Sequence, residues 1–339
     1  MPPPKKSTSQ PAKPTVPEVD HPLAAPHIVL LGGLVGVVLA AAVMRRFARP
    51  TTPKDWDEPA PLPKDGMLGN FKLGPLLADG GTATVYFGKD ENSNAVAIKI
   101  PHRGPLRYPQ FVATFAREAQ IGVDLRHPSI VRVLHAGHYR AAGFRRIPYF
   151  VMEFLEGQEL DSILKQGPLA EQEAIKVARG VSDALQWAHA RGVIHRDISP
   201  RNIFITNRRS VKVMDFGIST VTSKANRRAR TKGLAYGTPE YMAPERLVDS
   251  RAADERSDLY ALGCVLYEMI AGHPPFQGSS PEEIARAHQK APIPSLVAQG
   301  LGSPELDQLL GLLLAKNPKD RLQSANQVTS RLAELVPMS

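Results

Sequence analysis

Cysteine is nearly absent from this chain: its 339 residues include one, Cys264. No disulfide can close within the chain, which excludes a cross-linked secreted scaffold and fits a reducing compartment for the folded part. Cys264 lies in the apolar run Leu262-Gly263-Cys264-Val265-Leu266, where a small buried thiol is the expected role. Aromatic residues are also few, at 6%. The formal charge is +9, which would suit nucleic acid or anionic lipid. Without an aromatic-interleaved basic patch or a nucleic-acid motif, it is read as surface charge with a membrane-side excess, and no nucleic-acid partner is expected.

One stretch lacks charge altogether. Residues 28–44, IVLLGGLVGVVLAAAVM, are uniformly apolar. As a helix they would span roughly 26 Å, slightly under a hydrocarbon core of ~30 Å. A buried core helix would carry a polar stripe and lie within a domain, so a single transmembrane helix is the expectation. A cleavable signal peptide processed near Ala40-Ala41-Ala42 is the alternative. Arg45, Arg46, Arg49 and Lys54 follow the run closely, whereas only Lys13 precedes it nearby. The positive-inside rule then puts everything C-terminal of the run in the cytoplasm, at a plasma or inner membrane. Gly32 and Gly36 have the G-x-x-x-G spacing that lets two helices pack closely, so a homodimer is left open. Residues 1–27, rich in Pro and Lys, read as a disordered tail, and 45–70, with Pro50, Pro53, Pro59, Pro61 and Pro63, as an extended juxtamembrane linker.

The remaining residues, 71–335, are enough for one large domain with a real core. Within them His195-Arg196-Asp197-Ile198-Ser199-Pro200-Arg201-Asn202 brings a carboxylate, guanidinium groups and a carboxamide together between a helix-like and a strand-like run. Such a set suits phosphoryl transfer, which asks for positioned charge more than covalent chemistry. Asp197 would take a proton from an attacking hydroxyl, and Asn202 would hold a metal ion on the phosphates.

This octamer resembles the catalytic loop H-R-D-L-x-x-x-N of the eukaryotic-type (Hanks-type) Ser/Thr protein kinases. Val96-Ala97-Ile98-Lys99, Asp215-Phe216-Gly217 and Ala243-Pro244-Glu245 resemble further motifs of that family, in its order. The resemblance implies an α+β, two-lobed fold: an N-terminal lobe of antiparallel sheet with one helix, and a mainly helical C-terminal lobe. It implies ATP and Mg²⁺, with Asn202 and Asp215 as the metal ligands, and protein substrates phosphorylated on Ser or Thr, the chain itself among them. A domain that uses ATP belongs on the cytoplasmic side, which favours a retained anchor over a signal peptide.

The same resemblance implies the nucleotide site. Leu77-Ala78-Asp79-Gly80-Gly81-Thr82-Ala83-Thr84-Val85 is similar to the glycine-rich loop, with Ala78 and Ala83 in place of two glycines. Slower or weaker nucleotide binding is expected there. Lys99 would reach the α- and β-phosphates and pair with Glu118. Val85, Ala97 and the gatekeeper Met152 would line the adenine site, with the backbones of Glu153 and Leu155 bonding the base. Four residues past Glu118 the family has a bulky apolar residue where this chain has Gly122, so the helix is expected to be loosely held and Gly122→Leu to raise basal activity. Ser199 stands where Ser/Thr members have a lysine against the transferring phosphate, and Arg201 is the expected substitute cation. Gly237-Thr238-Pro239-Glu240-Tyr241 is similar to the Ser/Thr pattern. Thr231 is the first candidate for an activation phosphosite, facing Arg196. Asp258, Gly263 and the pair Glu245–Arg321 imply an intact C-terminal lobe. The alternative is a pseudokinase scaffold, which Ala78, Ala83, Gly122 and Ser199 would favour and Lys99, Glu118, Asp197, Asn202 and Asp215 oppose.

Overall fold

A computed structural model describes residues 57–141, 143–216, 239–249 and 252–335. The tail, the apolar run 28–44 and the linker up to residue 56 lie outside these, as do Gly217, Thr231, Gly237 and Thr238. Among the described residues no helix is long and apolar enough to cross a membrane.

The N-terminal lobe is built on β-branched and aromatic runs broken by turns. Its strands are β1 (Met67–Leu68), β2 (Phe71–Asp79), β3 (Ala83–Lys89), β4 (Ala95–Pro101), β5 (Val133–Ala141) and β6 (Phe144–Glu153). They form one antiparallel sheet in the order β1-β2-β3-β4-β6-β5. One long helix, α1 (Pro109–Asp124), opens on a proline, whose missing N–H costs nothing at a first turn. Phe115 and Ala119 of α1 pack on Ala83 and Phe150 of the sheet. On the sheet's other side Leu68, Ile98, Ile147 and Val151 make a second cluster.

The expected linker ends sooner than its proline content suggests. Arg103 donates its amide to the Glu58 carbonyl at 2.8 Å, and Tyr139 Oη donates to the Pro61 carbonyl at 3.2 Å. Ala60 and Leu68 are 3% and 0% exposed. Residues 58–68 are therefore a strap on the N-terminal lobe, held by two small apolar anchors and by backbone hydrogen bonds that prolines can still accept.

Three residues of hinge lead to β7 (Gly157–Glu159), which pairs with β8 (Ile203–Thr206), itself paired with β9 (Val211–Val213). The helices are α2 (Leu160–Leu164), α3 (Glu171–His189), α4 (Pro244–Val248), α5 (Glu255–Ala271), α6 (Pro281–Lys290), α7 (Pro304–Leu313) and α8 (Ala325–Leu335). Helix α5 is apolar nearly all round and is the buried axis of this lobe. Asp254 caps its start by accepting from Arg256 N at 2.9 Å, and Gly272, at φ 76°, ends it. Gly263 lets α7 approach, since a Cβ there would lie 2.8 Å from Leu313 Cβ. Arg321 grips both oxygens of Glu245, at 2.8 and 2.7 Å, while 4% exposed.

Candidate active site

Sheet register decides which side chains face the cleft between the lobes. Lys99 is paired with Val85 on one side and Phe150 on the other, and Ala97 with Met152. Residues directly opposite share a face, as do residues two apart on a strand, so Val85, Ala97, Lys99, Phe150 and Met152 form one surface. A cavity behind it is lined by Glu118, Gly122, Val133, Phe150, Met152 and Phe216. At the hinge the Glu153 amide is taken by the Arg132 carbonyl, at 3.0 Å.

Lys99 Nζ stands 2.6 Å from Asp215 Oδ1 and 3.7 Å from Glu118 Oε1. Burial alone would push the lysine's pKa down, but Asp215 and Glu118 outweigh it and hold it above the ordinary value. Lys99 is therefore a fixed cation. Burial pushes the Glu118 carboxyl up, with Lys99 opposing and Asp215 adding to the shift. Glu118 Oε1 is buried with no hydrogen bond, so the lysine is committed to Asp215 while its second partner waits within reach.

The catalytic loop is assembled by backbone contacts. Asp258 of α5 accepts from the amides of His195 and Arg196, at 2.8 and 2.7 Å, and from His189 Nε2 at 2.8 Å. Burial opposes the charge on Asp258, yet His189 and the amides hold its pKa below the ordinary carboxylate range. This buried anion pins Arg196 in left-handed backbone, at φ 69°, a conformation costing about 1–3 kcal/mol for a non-glycine residue. Asp215 is left-handed too, at φ 58°. His195 Nε2 donates to the Met214 carbonyl at 2.7 Å, which leaves Nδ1 to accept from Asp197 N at 3.2 Å. The His195 ring meets Phe216 edge-on, with centroids 4.5 Å apart. Asn202 Nδ2 donates to the Asp197 carbonyl at 2.7 Å and to Asp197 Oδ2 at 3.0 Å, and Met214 N donates to the Asn202 carbonyl at 2.9 Å.

Asp197, Asn202, Asp215, Lys99 and Glu118 are thus joined through direct contacts and one backbone bond. Asn202 spends its Nδ2 on Asp197, which leaves its Oδ1 as an acceptor, and its carbonyl is held by Met214, the neighbour of Asp215. Two hard oxygen donors fit a magnesium ion, which takes few protein ligands and completes its shell with phosphate and water.

Two residues singled out in the sequence meet neighbours that the sequence did not show. Arg201 is 70% exposed at its side chain and its Nε lies 3.7 Å from Asp161 Oδ1, so it is turned toward α2 rather than toward Asp197. Ser199 is buried. Gly122 does not leave α1 loose either. A Cβ on it would lie 2.4 Å from Val133 Cγ2, so Val133 of β5 already occupies the space a bulky residue would take. Two features escaped the sequence reading. Arg246 of α4 donates to the Arg196 carbonyl, tying α4 to the catalytic loop. Asp79, in the glycine-rich loop, is paired with His102. Neither has a local signal, because each partner lies on another element.

A two-lobed fold with a sheet lysine, a helix glutamate and a loop aspartate around one cleft defines a protein kinase. The sequence matches the protein kinase domain over residues 71–332, and the chain belongs to that family, among its Hanks-type Ser/Thr members. It is similar to the serine/threonine-protein kinase PknB of Mycobacterium tuberculosis, 38% identical over 274 residues, which cover 79% of this chain and 43% of that kinase. The PknB of Mycolicibacterium smegmatis is 37% identical over 269 residues, covering 78% and 43%. The serine/threonine-protein kinase PksC of Streptomyces coelicolor is 39% identical over 265 residues, covering 76% and 47%. The chain thus spans less than half the length of these curated relatives.

Proposed function

We propose that this chain is a protein kinase that moves the γ-phosphate of ATP to serine or threonine of proteins, itself included. The observation that carries this reading is the joining of Lys99, Glu118 and Asp215 to Asp197 and Asn202 in one cleft. The names of the relatives, all serine/threonine kinases, support the hydroxyl class.

Val85, Ala97 and Met152 would line the adenine site, next to the hinge. Lys99 would turn from Asp215 toward the α- and β-phosphates, and Glu118, already within reach of its ammonium, would hold it there. Asn202 and Asp215 would hold Mg²⁺, which would neutralise charge on the phosphates. Asp197, kept in place by Asn202, accepts the proton of the attacking hydroxyl. In this reading residues 28–44 anchor the chain in a membrane, with the kinase domain on the cytoplasmic side, and the Gly32/Gly36 spacing offers a contact for a homodimer.

The test is incorporation of labelled phosphate by the full chain with Mg²⁺ and ATP, beside Asp197→Asn, followed by mapping of the modified residues. Removing a general base lowers turnover about 10²- to 10⁴-fold. Incorporation on Ser or Thr that disappears in the variant is the expected result. Equal incorporation by both proteins would overturn the assignment of Asp197.

A further inference from the structure

Asp79 closes β2 immediately before Gly80 and Gly81, inside the loop read above as the phosphate cradle. Its Oδ1 lies 2.8 Å from His102 Nε2 and accepts the Thr84 hydroxyl at 3.2 Å. A carboxylate only accepts, so His102 Nε2 carries the proton of this bond. His102 comes three residues after Lys99, and its amide donates to the Thr82 carbonyl at 2.8 Å. One residue therefore holds the loop on both flanks, at Asp79 by its ring and at Thr82 by its backbone.

The ring is 1% exposed, whereas the Asp79 side chain is half exposed. The strap roofs the histidine: Pro59 pairs with His102 as an antiparallel bridge, and Arg103 binds Glu58 through both backbone and side chain. A buried, fixed donor thus meets a carboxylate that has room to move.

An anion in a phosphate-binding loop is a poor choice unless something turns it aside, because like charges at close range repel. We propose that His102, helped by Thr84, is a positioning residue for nucleotide binding: it holds the Asp79 carboxylate away from the phosphates and keeps the loop in the shape that receives them. The inference rests on the kinase reading of this site. Without the imidazole, Asp79 swings free beside the triphosphate and the loop loses its side-chain anchor, while the backbone bond to Thr82 remains.

The measurement is titration of the full chain with a fluorescent ATP analogue and Mg²⁺, together with steady-state kinetics. His102→Leu is expected to weaken nucleotide binding about tenfold, the worth of one hydrogen bond to a charged group. KM for ATP rises while kcat at saturating ATP stays near wild type, a split that general loosening of the lobe would not produce. Asp79→Ala in the His102→Leu background restores most of the affinity, because the repelling charge is gone. His102→Gln, which keeps a donor at similar reach, behaves as wild type, and Thr84→Val moves in the direction of His102→Leu even where the leucine variant folds poorly. Wild-type affinity in both His102→Leu and Thr84→Val overturns the inference, as does failure of Asp79→Ala to restore binding. Failure of the wild-type chain to bind nucleotide at all overturns the kinase reading along with it.

Discussion

An exposed ion pair such as Arg201–Asp161 contributes about 0–1 kcal/mol, because water competes for both partners and two long side chains must be ordered. Asp197 is different: its carboxylate is oriented by Asn202 and its backbone by His195. The two positions stand four residues apart and should separate cleanly in function. Arg201→Ala is expected to lower phosphate incorporation less than about fivefold, the rate equivalent of 1 kcal/mol. A loss of 10²-fold or more would mean that Arg201 leaves Asp161 to act on the transferring phosphate. The spacing of Arg201 within the catalytic loop was readable from the chain. The direction of its side chain was not, because it depends on Asp161, forty residues upstream and on another element.

Helix α1 carries Glu118, so the catalytic lysine depends on how the helix sits on the sheet. Glycine in a helix interior costs about 1 kcal/mol relative to alanine, which taken alone suggests that filling Gly122 would stabilise α1. Packing decides otherwise. A Cβ at residue 122 would overlap Val133 Cγ2 at 2.4 Å, and overpacking of this kind costs about 1–3 kcal/mol. The clash is the larger effect. Gly122→Leu should lower the chemical-denaturation midpoint and reduce kinase activity by pushing α1 and Glu118 off the sheet. Unchanged stability with raised activity would show that Val133 steps aside and that the helix needed the extra contact. The glycine was visible in the sequence, while the valine that completes it sits on β5, where nothing marks it as its neighbour.

For the whole molecule, the folded unit continues N-terminal of residue 71, through a strap that sequence patterning read as linker. Prolines at 59, 61 and 63 suggested free chain, yet the strap is fixed from Glu58 onward and β1 joins the sheet edge. Full burial of one leucine contributes about 1.5–3 kcal/mol. A chain starting at residue 71 therefore loses about 1.5–3 kcal/mol against one starting at 57, through Leu68 alone, and urea denaturation of the two would show it. Equal midpoints would mean that the strap is a passive covering.

Through its family motifs, the sequence by itself pointed to the two-lobed class and to five candidate site residues. Lys99, Asp197, Asn202 and Asp215 sit in short motifs, each placed by a strand or a tight turn, and Glu118 is implied by the resemblance of its helix to the family's. Only the tertiary structure decided where Arg201 points, what fills the space beside Gly122, how far the strap reaches and what restrains Asp79. Each of those depends on a contact between distant elements, and such contacts exist only once the lobes have closed around their cores.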